Sequence, residues 1–418
     1  MRLLVYASSL ETVESNVFNL NDSLINKVPD FGDYFWSSSQ TNLIGIGTAR
    51  RIQLPQLNSQ TQRENPLSSI QVTNHTQREL LPGEGVCGLV AFPFRPDVPG
   101  ELIIPKILIR KQTSGNHLIT LTSDENLELE KALEELENFP KEANSEKQNA
   151  LHISYPIDEE MWRDNKVKTV KNLINSGDVE KVVLAREIII NAATKISSAN
   201  VLTKLKEQNS TAMLFHIDGF VGASPELLIS RLGDTVKANP LAGTAKRYSN
   251  PIDDELSKEE LLESIKDAYE HRITIEWFLN ELMQFCSYID ADPEPKITTL
   301  QHVHHLETEV QGKLSQPAAG ALDLVAALHP TPAVAGDPQD KALRIIETIE
   351  GFDRGKYAGP VGWVDINGNG EFAVGIRSAQ IREQEARLYA GVGLVADSDP
   401  ESELAETKQK LKTMISAF

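Results

Sequence analysis

The C-terminal end of the chain carries two carboxylates and a lysine in one predicted row. The pair Asp399-Pro400 predicts the start of a helix, because a capping aspartate followed by proline is typical of a first helical turn. Glu403, Glu406 and Lys410 follow at spacings of three and four residues, so their side chains lie on one face of that helix. Because stacked like charges destabilise a helix, this row is either a solvated charged face or a site where a hard cation bridges to an anionic ligand.

Three side chains further upstream have types suited to acid, base or anion chemistry. Lys181 opens a β-branched segment, Glu226 follows a turn that contains proline, and Arg377 lies inside the apolar stretch 374–379. The lysine and the glutamate are ordinary when each is taken singly, since both types usually face solvent. An arginine within an apolar strand needs a partner, and its planar fork suits a carboxylate.

Two other patterns suggest functions that their surroundings disfavour. The segment 391–393 reads Gly-Val-Gly after a predicted strand, but the third glycine of a dinucleotide-binding fingerprint is missing, so we favour a backbone that approaches a small anion. His302, His304 and His305 suggest zinc, yet the two cysteines are distant in sequence and paired-ligand spacing is absent. A histidine that hydrogen-bonds a substrate or the core is the better interpretation.

The composition limits the class of protein. The 418 residues carry a formal net charge of −19 with 40% hydrophobic residues, and no Lys/Arg run indicates nucleic-acid binding. An anionic substrate must therefore be attracted by a local cluster of cations and backbone N–H groups. Two cysteines fit a reducing compartment, and we see neither a signal peptide nor an apolar run of membrane-span length. We expect a cytoplasmic monomer with no nucleic-acid or membrane partner.

The predicted elements favour an α+β fold over a doubly wound parallel sheet. Residues 1–150 alternate apolar strands with loops, and the polar stretch 140–151 is the predicted boundary to the region 151–418. Short links between consecutive strands imply antiparallel pairing. In the second region we predict strands at 179–190, 211–217 and 226–232, one long amphipathic helix at 256–286, a hairpin whose second strand runs from 371 to 381, a further strand at 388–396 and the C-terminal helix.

In combination, the motifs of the second region resemble those of the chorismate-utilising enzymes. The resemblance covers about residues 155–418 and is nearest to the isochorismate synthases. Anthranilate and aminodeoxychorismate synthases carry glutamine where Lys181 stands, and salicylate synthases depart from the segment 329–334. The matching segments are Lys181 to Arg186, Gly222 to Glu226, Pro240 to Thr244, Ser264 to His271, His305-Leu306, His329 to Gly336, Tyr357 to Trp363 and Tyr389 to Gly393.

The resemblance implies a fold and an activity. The fold has large antiparallel sheets packed face to face with helices on the outside, and residues 1–150 would complete the same compact unit. The activity is a reversible, Mg²⁺-dependent isomerisation of chorismate to isochorismate, in which water adds at C2 and the C4 hydroxyl leaves. Lys181 would take a proton from water, which needs a lowered pKa, and Glu226 would protonate the leaving hydroxyl, which needs a raised one.

The resemblance also assigns residues to the substrate and the metal. Glu270, Glu403 and Glu406 would hold Mg²⁺ against the ring carboxylate of chorismate. The expected substrate-binding residues are Gly243 and Thr244 at the leaving hydroxyl, His305 and Ala333 at the ring, and Tyr357, Arg377, Gly391, Gly393 and Lys410 at the enolpyruvyl carboxylate.

Two alternatives remain open at the level of sequence. A salicylate synthase would perform the same first step and then eliminate pyruvate. A catalytically inactive relative would bind the metal or the ligand only, although the presence of Lys181, Glu226 and the three metal-site glutamates argues against it. The sequence leaves the pathway of the product undecided between menaquinone, siderophore and salicylate synthesis.

Overall fold

The structure, a computed structural model, describes residues 14–20, 30–59, 64–76, 79–111, 117–123, 129–139 and 151–418. Within these residues it has an α+β architecture dominated by antiparallel sheet, which confirms the predicted fold class. Most of the predicted boundary at 140–151 lies outside the described residues. No described helix is both long enough and apolar enough to span a bilayer.

The strands follow one another along the whole described chain. Their bounds are β1 Glu14–Leu20, β2 Tyr34–Ser37, β3 Asn42–Gln53, β4 Gln71–Asn74, β5 Cys87–Ala91, β6 Glu101–Lys111, β7 His117–Ser123, β8 His152–Ser154, β9 Lys181–Asn191, β10 Met213–Ile217, β11 Phe220–Ser224, β12 Leu227–Leu232, β13 Thr235–Asn239, β14 Leu241–Lys246, β15 Cys286–Ala291, β16 Lys296–Thr299, β17 Val303–Glu307, β18 Val310–Leu314, β19 Gly336–Asp337, β20 Pro360–Asp365, β21 Gly370–Val374, β22 Ser378–Arg382 and β23 Glu385–Leu394.

The helices lie between the later strands and at the C-terminus. Their bounds are α1 Leu129–Asn138, α2 Glu159–Met161, α3 Lys168–Asn175, α4 Ser198–Gln208, α5 Pro251–Glu263, α6 Ile265–Met283, α7 Ala321–Leu328, α8 Gln339–Ile349 and α9 Pro400–Ile415, with the π-helical turn Trp162–Val167 between α2 and α3.

Two long arms of sheet meet at strand β6. One edge of β6 pairs with β3, and the other edge is shared by β5 and β7. The first arm continues from β3 through β2, β10, β11, β22 and β23 to β9. The second arm continues from β5 through β20, β21, β12, β13 and β18 to β15. Strands from before and after residue 150 therefore pair directly in both arms.

Large apolar side chains fill the space between the two arms. Trp36, Phe215 and Phe220 from the first arm pack with Leu89 and Trp363 from the second, and all are fully buried. Each such side chain contributes roughly 2–3 kcal/mol by leaving water. This layer is the face-to-face packing of sheets that the resemblance implied.

The helices cover the outer faces of the arms. Leu202 of α4, Leu136 of α1 and Met414 of α9 pack on the outer face of the first arm. Leu324 of α7 and Phe278 of α6 belong to the cluster that covers the second arm. Because the helices lie outside the sheets, they leave one end of β9 and β23 uncovered, and this end faces a cavity.

The single long helix predicted over 256–286 is wrong. The structure has two helices, because Ser264 adopts an extended conformation and its hydroxyl accepts a hydrogen bond from the Asp267 N–H at 3.2 Å. This local capping interaction starts a new helix and resets the phase of the apolar pattern. Ile265 and Tyr269 of the predicted apolar stripe are consequently 88% and 56% exposed.

Arg377 does not lie within a strand as predicted. Strand β21 ends at Val374 and β22 begins at Ser378, and Arg377 adopts a left-handed conformation with φ of 49° between them. Its carbonyl accepts a hydrogen bond from the Ala223 N–H at 3.0 Å, which helps to hold the bend. A non-glycine residue in this region of φ is uncommon.

Candidate active site

One cavity of about 310 Å³ is lined by every site residue that the sequence predicted. The walls come from the ends of β9 and β23, from β14 and β17, and from helices α6 and α9. The volume matches the low end of small-molecule sites. Residues from 181 to 410 therefore converge in space, while the role of each one remains a prediction.

Lys181 enters the cavity through space that Gly393 provides. Lys181 begins β9, and the neighbouring strand β23 places Gly393 opposite Val183. A Cβ atom on Gly393 would lie 2.8 Å from the Lys181 Cε, closer than real Cβ atoms approach. We expected Gly393 to bring backbone N–H groups near an anion. The structure adds a second reason for glycine, because any side chain here would displace the lysine.

Glu226 is a buried carboxyl, one oxygen of which has no hydrogen-bond partner among the described residues. The residue is 3% exposed, and no described protein group hydrogen-bonds its Oε1. Burial raises its pKa to about 8, and the N–H of Leu241 and the charges of Lys181 and Lys410 oppose that rise. At neutral pH the side chain is therefore predominantly protonated, the state that a general acid requires.

The C-terminal helix begins as predicted and points its charged row at the cavity. The Asp399 carboxylate caps α9 by accepting from the Ser402 N–H at 2.9 Å. Lys410 Nζ lies 2.7 Å from Glu406 Oε1 and donates to the Gly391 carbonyl at 2.9 Å. The lysine therefore ties the acidic row of α9 to the glycine segment of β23.

The acidic wall is completed by helix α6. Glu270 and Asp267 line the cavity from α6, and Glu403 and Glu406 line it from α9. Asp267 was missed in the sequence, although its spacing of three residues from Glu270 places both on one helical face. The carboxylates of two separate helices thus share one cavity.

The acidic wall has the donor chemistry for a hard divalent cation. Carboxylate oxygens are the protein ligands that Mg²⁺ prefers. As the side chains stand, no three acidic, histidine or cysteine residues in the described ranges converge closely enough to enclose an ion. Glu406 pairs here with the Lys410 ammonium one turn along the same helix.

Arg377 and Tyr357 form a separate wall suited to an anion. Arg377 is 8% exposed, and its Nη1 donates to the Lys410 carbonyl at 3.2 Å. Burial lowers its pKa to about 10, so the guanidinium remains charged at neutral pH. In the described part of the chain no carboxylate pairs with it, so its fork can receive an anionic ligand. Tyr357 is buried beside it, which raises the pKa of its hydroxyl to about 12.

His305 presents a neutral ring to the cavity. Burial lowers its pKa to about 3. Its Nδ1 lies 3.1 Å from the Gly243 carbonyl, which only accepts, and 3.1 Å from the Thr244 hydroxyl. Nδ1 therefore carries the proton, and Nε2 is left as an acceptor. His304 does not line the cavity, and its Nε2 lies 3.0 Å from Asp254 Oδ1.

Arg354, a buried arginine in the cavity wall, was not predicted from the sequence. Its exposed fraction is 4%, and it forms an ion pair with Glu350, which is 1% exposed. The position three residues before Tyr357 gave no periodic signal. Arg354 lies in the charged stretch Asp353-Arg354-Gly355-Lys356, so nothing in the local sequence distinguished it from a solvated surface residue.

Comparisons with known proteins agree on one family. A family model described as chorismate binding enzyme matches residues 6–418. Isochorismate synthase DhbC of Bacillus subtilis (strain 168) is 40% identical over 281 residues, covering 65% of this chain and 70% of its own. Isochorismate synthase MenF of the same organism is 35% identical over 413 residues, covering 92% and 87%.

A solved structure shows the same fold. MenF, the menaquinone-specific isochorismate synthase from Escherichia coli, superposes with a TM-score of 0.75 over 97% of this chain and 95% of that chain, at 24% identity. The fold implied by the sequence motifs is confirmed by this likeness. Because the family model matches nearly the whole chain and a relative is 35% identical over 92% of it, the chain belongs to the family of chorismate-binding enzymes.

Proposed function

We propose that the chain is an isochorismate synthase, which converts chorismate reversibly to isochorismate by adding water at C2 and releasing the C4 hydroxyl. The observation that carries the proposal is the buried Glu226 carboxyl, protonated at neutral pH and with an unpartnered oxygen, in the cavity that also holds Lys181. The reaction needs one base and one acid at oxygen atoms. The presence of lysine, instead of the glutamine of ammonia-using relatives, supports water as the nucleophile.

The two proton transfers would balance within one turnover. Lys181, as a neutral amine, takes a proton from the water whose oxygen bonds to C2. As the oxygen bonds to C2, the C1=C2 and C5=C6 double bonds shift to C1=C6 and C4=C5 and the C4–O bond breaks. Glu226 gives its proton to the C4 oxygen, which leaves as water, and the proton on Lys181 then returns to Glu226 through solvent. One C–O bond replaces another of the same kind, so we expect an equilibrium with both isomers present.

The cationic wall would hold the enolpyruvyl carboxylate. The guanidinium of Arg377 is buried and has no carboxylate partner in the described chain. Lys410 of α9 lies next to it and donates to the Gly391 carbonyl of β23. We assign the Tyr357 hydroxyl and the backbone of Gly391 and Gly393 to the same carboxylate. A charged fork in a buried site binds a carboxylate with orientation as well as energy.

The ring would lie against the polar and small residues of the remaining walls. The neutral His305 offers Nε2 as an acceptor, and Ala333 leaves room beside it. We place Gly243 and Thr244 at the leaving hydroxyl, because Thr244 Oγ1 is already oriented by His305. These contacts orient the ring and do not exchange protons with carbon.

Glu270, Glu403 and Glu406 would hold a Mg²⁺ ion. When bound, the ion would neutralise the ring carboxylate and fix its position. The residues themselves contribute oxygen donors from two helices, so the metal site depends on the relative position of α6 and α9.

We also propose that residues 1–150 and 151–418 form one compact unit. Five residue pairs join β5 to β20, and three residue pairs join β2 to β10. Cutting the chain near residue 150 would expose these strand edges and the apolar layer between the arms.

The proposal is tested by incubating the purified protein with chorismate and Mg²⁺. We expect isochorismate, resolved by chromatography, and no fluorescent salicylate, because nothing in the proposed acid and base pair eliminates pyruvate. Accumulation of salicylate would favour the alternative of a salicylate synthase. The absence of any turnover would favour a binding protein without catalysis.

Replacing the base should slow catalysis strongly and leave substrate binding intact. For Lys181→Gln we expect the rate to fall by about 10²–10⁴-fold, the usual contribution of a positioned proton acceptor. Chorismate binding with Mg²⁺, measured by titration calorimetry, should persist, because the groups assigned to both carboxylates are unchanged. Turnover at the unmodified rate would remove Lys181 from the mechanism.

The raised pKa of Glu226 should make stability depend on pH. The folded carboxyl keeps its proton up to about 8, whereas the unfolded one releases it near 4.5. Between these values the folded state binds more protons, so the free energy of unfolding should fall by up to about 1.4 kcal/mol per pH unit as pH rises. Below 4.5 this contribution is fully present.

The comparison variant for this pH dependence is Glu226→Gln, which cannot titrate. Urea unfolding of both proteins across the interval should show a steeper decline for the unmodified protein. Equal slopes would mean that Glu226 is not held in its protonated form.

Removing one metal-site carboxylate should weaken Mg²⁺ binding. For Glu406→Gln we expect at least about a tenfold loss of Mg²⁺ affinity in the presence of chorismate, because one charged ligand of few is removed. The matched control is Glu401→Gln, on the first turn of the same helix, where Glu401 pairs with Arg163 and is 69% exposed outside the cavity. Equal calorimetric affinities for the two variants would contradict the metal site.

A further inference from the structure

Part of one edge of strand β9 has no strand partner in the described chain. β23 pairs along one edge of β9 over ten residues. On the other edge, β19 pairs only with Lys181 and Val182, and β8 pairs with β9 only from Ile189 onwards. The Val183 N–H donates to the Ala335 carbonyl at 2.9 Å. A buried backbone group beyond this point needs another partner, because leaving it unpaired is costly.

The ion pair of Arg354 and Glu350 supplies those partners. The Val183 carbonyl accepts from Arg354 Nη2 at 2.7 Å, and the Ala185 N–H donates to Glu350 Oε1 at 2.7 Å. The Ala185 carbonyl accepts from the Trp162 indole N–H at 3.1 Å. Arg354 and Glu350 are joined by an Nε–Oε2 hydrogen bond of 2.9 Å. The two side chains therefore continue the sheet where the short strand β19 stops.

The same guanidinium reaches a second wall of the cavity. Arg354 Nη1 donates to the Val334 carbonyl at 2.9 Å, in the turn that carries Ala333. The Phe94 ring lies under the guanidinium, with 4.1 Å between the Cζ atom and the ring centroid. One buried group thus joins the strand of the base to the turn at the ring pocket.

We infer that Arg354 is a positioning residue for Lys181, which fixes strand β9 against the turn of Ala333 so that the amine meets the substrate ring. The inference rests on the proposed isomerisation. Lys181 and Val183 are two residues apart and face the same side of the strand, and both line the cavity. A shift of the Val183 carbonyl is therefore passed directly to the lysine.

Arginine is needed here for its geometry more than for its charge. Its fork donates in three directions at once, to Glu350, Val183 and Val334. A lysine would keep the ion pair with Glu350 but could not make all three contacts from one ammonium group. Arg354→Lys therefore separates positioning from charge and is the variant to test.

For Arg354→Lys we expect kcat to fall by about 10²-fold, the effect of a misplacement of about 1 Å in a catalytic group. The affinity for chorismate with Mg²⁺, measured by calorimetry in a Lys181→Gln background, should stay within about threefold. The matched control is Arg231→Met, which removes another buried arginine, bound to the Asn367 carbonyl and outside the cavity. This control variant should have a lower free energy of unfolding and an unchanged kcat.

A double-mutant cycle gives a readout that a purely structural role would not move. If Arg354 acts through Lys181, adding Arg354→Lys to Lys181→Gln should cost almost no further rate. A full additional loss of about 10²-fold in that background would overturn the inference. So would an unchanged kcat in the single variant.

Hydrogen exchange tests the inference without a measurement of activity. In Arg354→Lys, exchange of the Val183 and Ala185 amides should accelerate by at least about tenfold relative to the unmodified protein. If Arg354→Lys does not fold, Glu350→Gln, which keeps an oxygen for the Ala185 N–H, replaces it in all measurements, with the same expected directions. Unchanged exchange would overturn the inference, whereas an unmodified protein that does not convert chorismate would contradict only the proposed function.

Discussion

Burial of ionisable side chains away from bulk water is the constraint on which the chemistry of the cavity depends. The same desolvation acts on three groups with different ordinary pKa values. It raises the pKa of Glu226 to about 8, lowers that of His305 to about 3 and lowers that of Arg377 to about 10. At neutral pH the carboxyl keeps its proton, the imidazole is neutral and the guanidinium stays charged. One physical cause therefore produces a proton donor, a neutral acceptor and a fixed cation side by side.

The pairing of the strands determines where the side chains of the site lie. The ladder between β9 and β23 places Lys181 beside the glycine at 393, and α9 follows β23 directly, so the acidic row returns to the same strand end. Strands from the first third of the chain complete both arms and bury the layer around Trp36 and Trp363. The site is thus built from residues 181–410 but rests on pairings with strands from the first third of the chain.

Sequence patterns predicted the parts of this site that local chemistry determines. The cap at Asp399, the row on α9 and the fold class followed from spacing, short links and a combination of motifs. The break at Ser264 was missed because a side-chain cap overrode a continuous apolar pattern. The left-handed Arg377 and the pair of Arg354 with Glu350 depend on partners more than 150 residues away, such as Ala223 and Val183, which no local pattern contains.

Charge balance within the cavity bears on the proposed metal. Arg354 is already compensated by Glu350, and the proposed mechanism needs Lys181 as a neutral amine. The remaining charged groups in the wall are two cations, Arg377 and Lys410, and four carboxylates, Asp267, Glu270, Glu403 and Glu406. Chorismate adds two further negative charges in a protein whose net charge is already −19. A dianion would be repelled from such a site in a medium of low dielectric constant. In the proposed site, a divalent cation on the acidic wall would offset part of that repulsion where the ring carboxylate would lie, so substrate binding and metal binding are expected to be coupled.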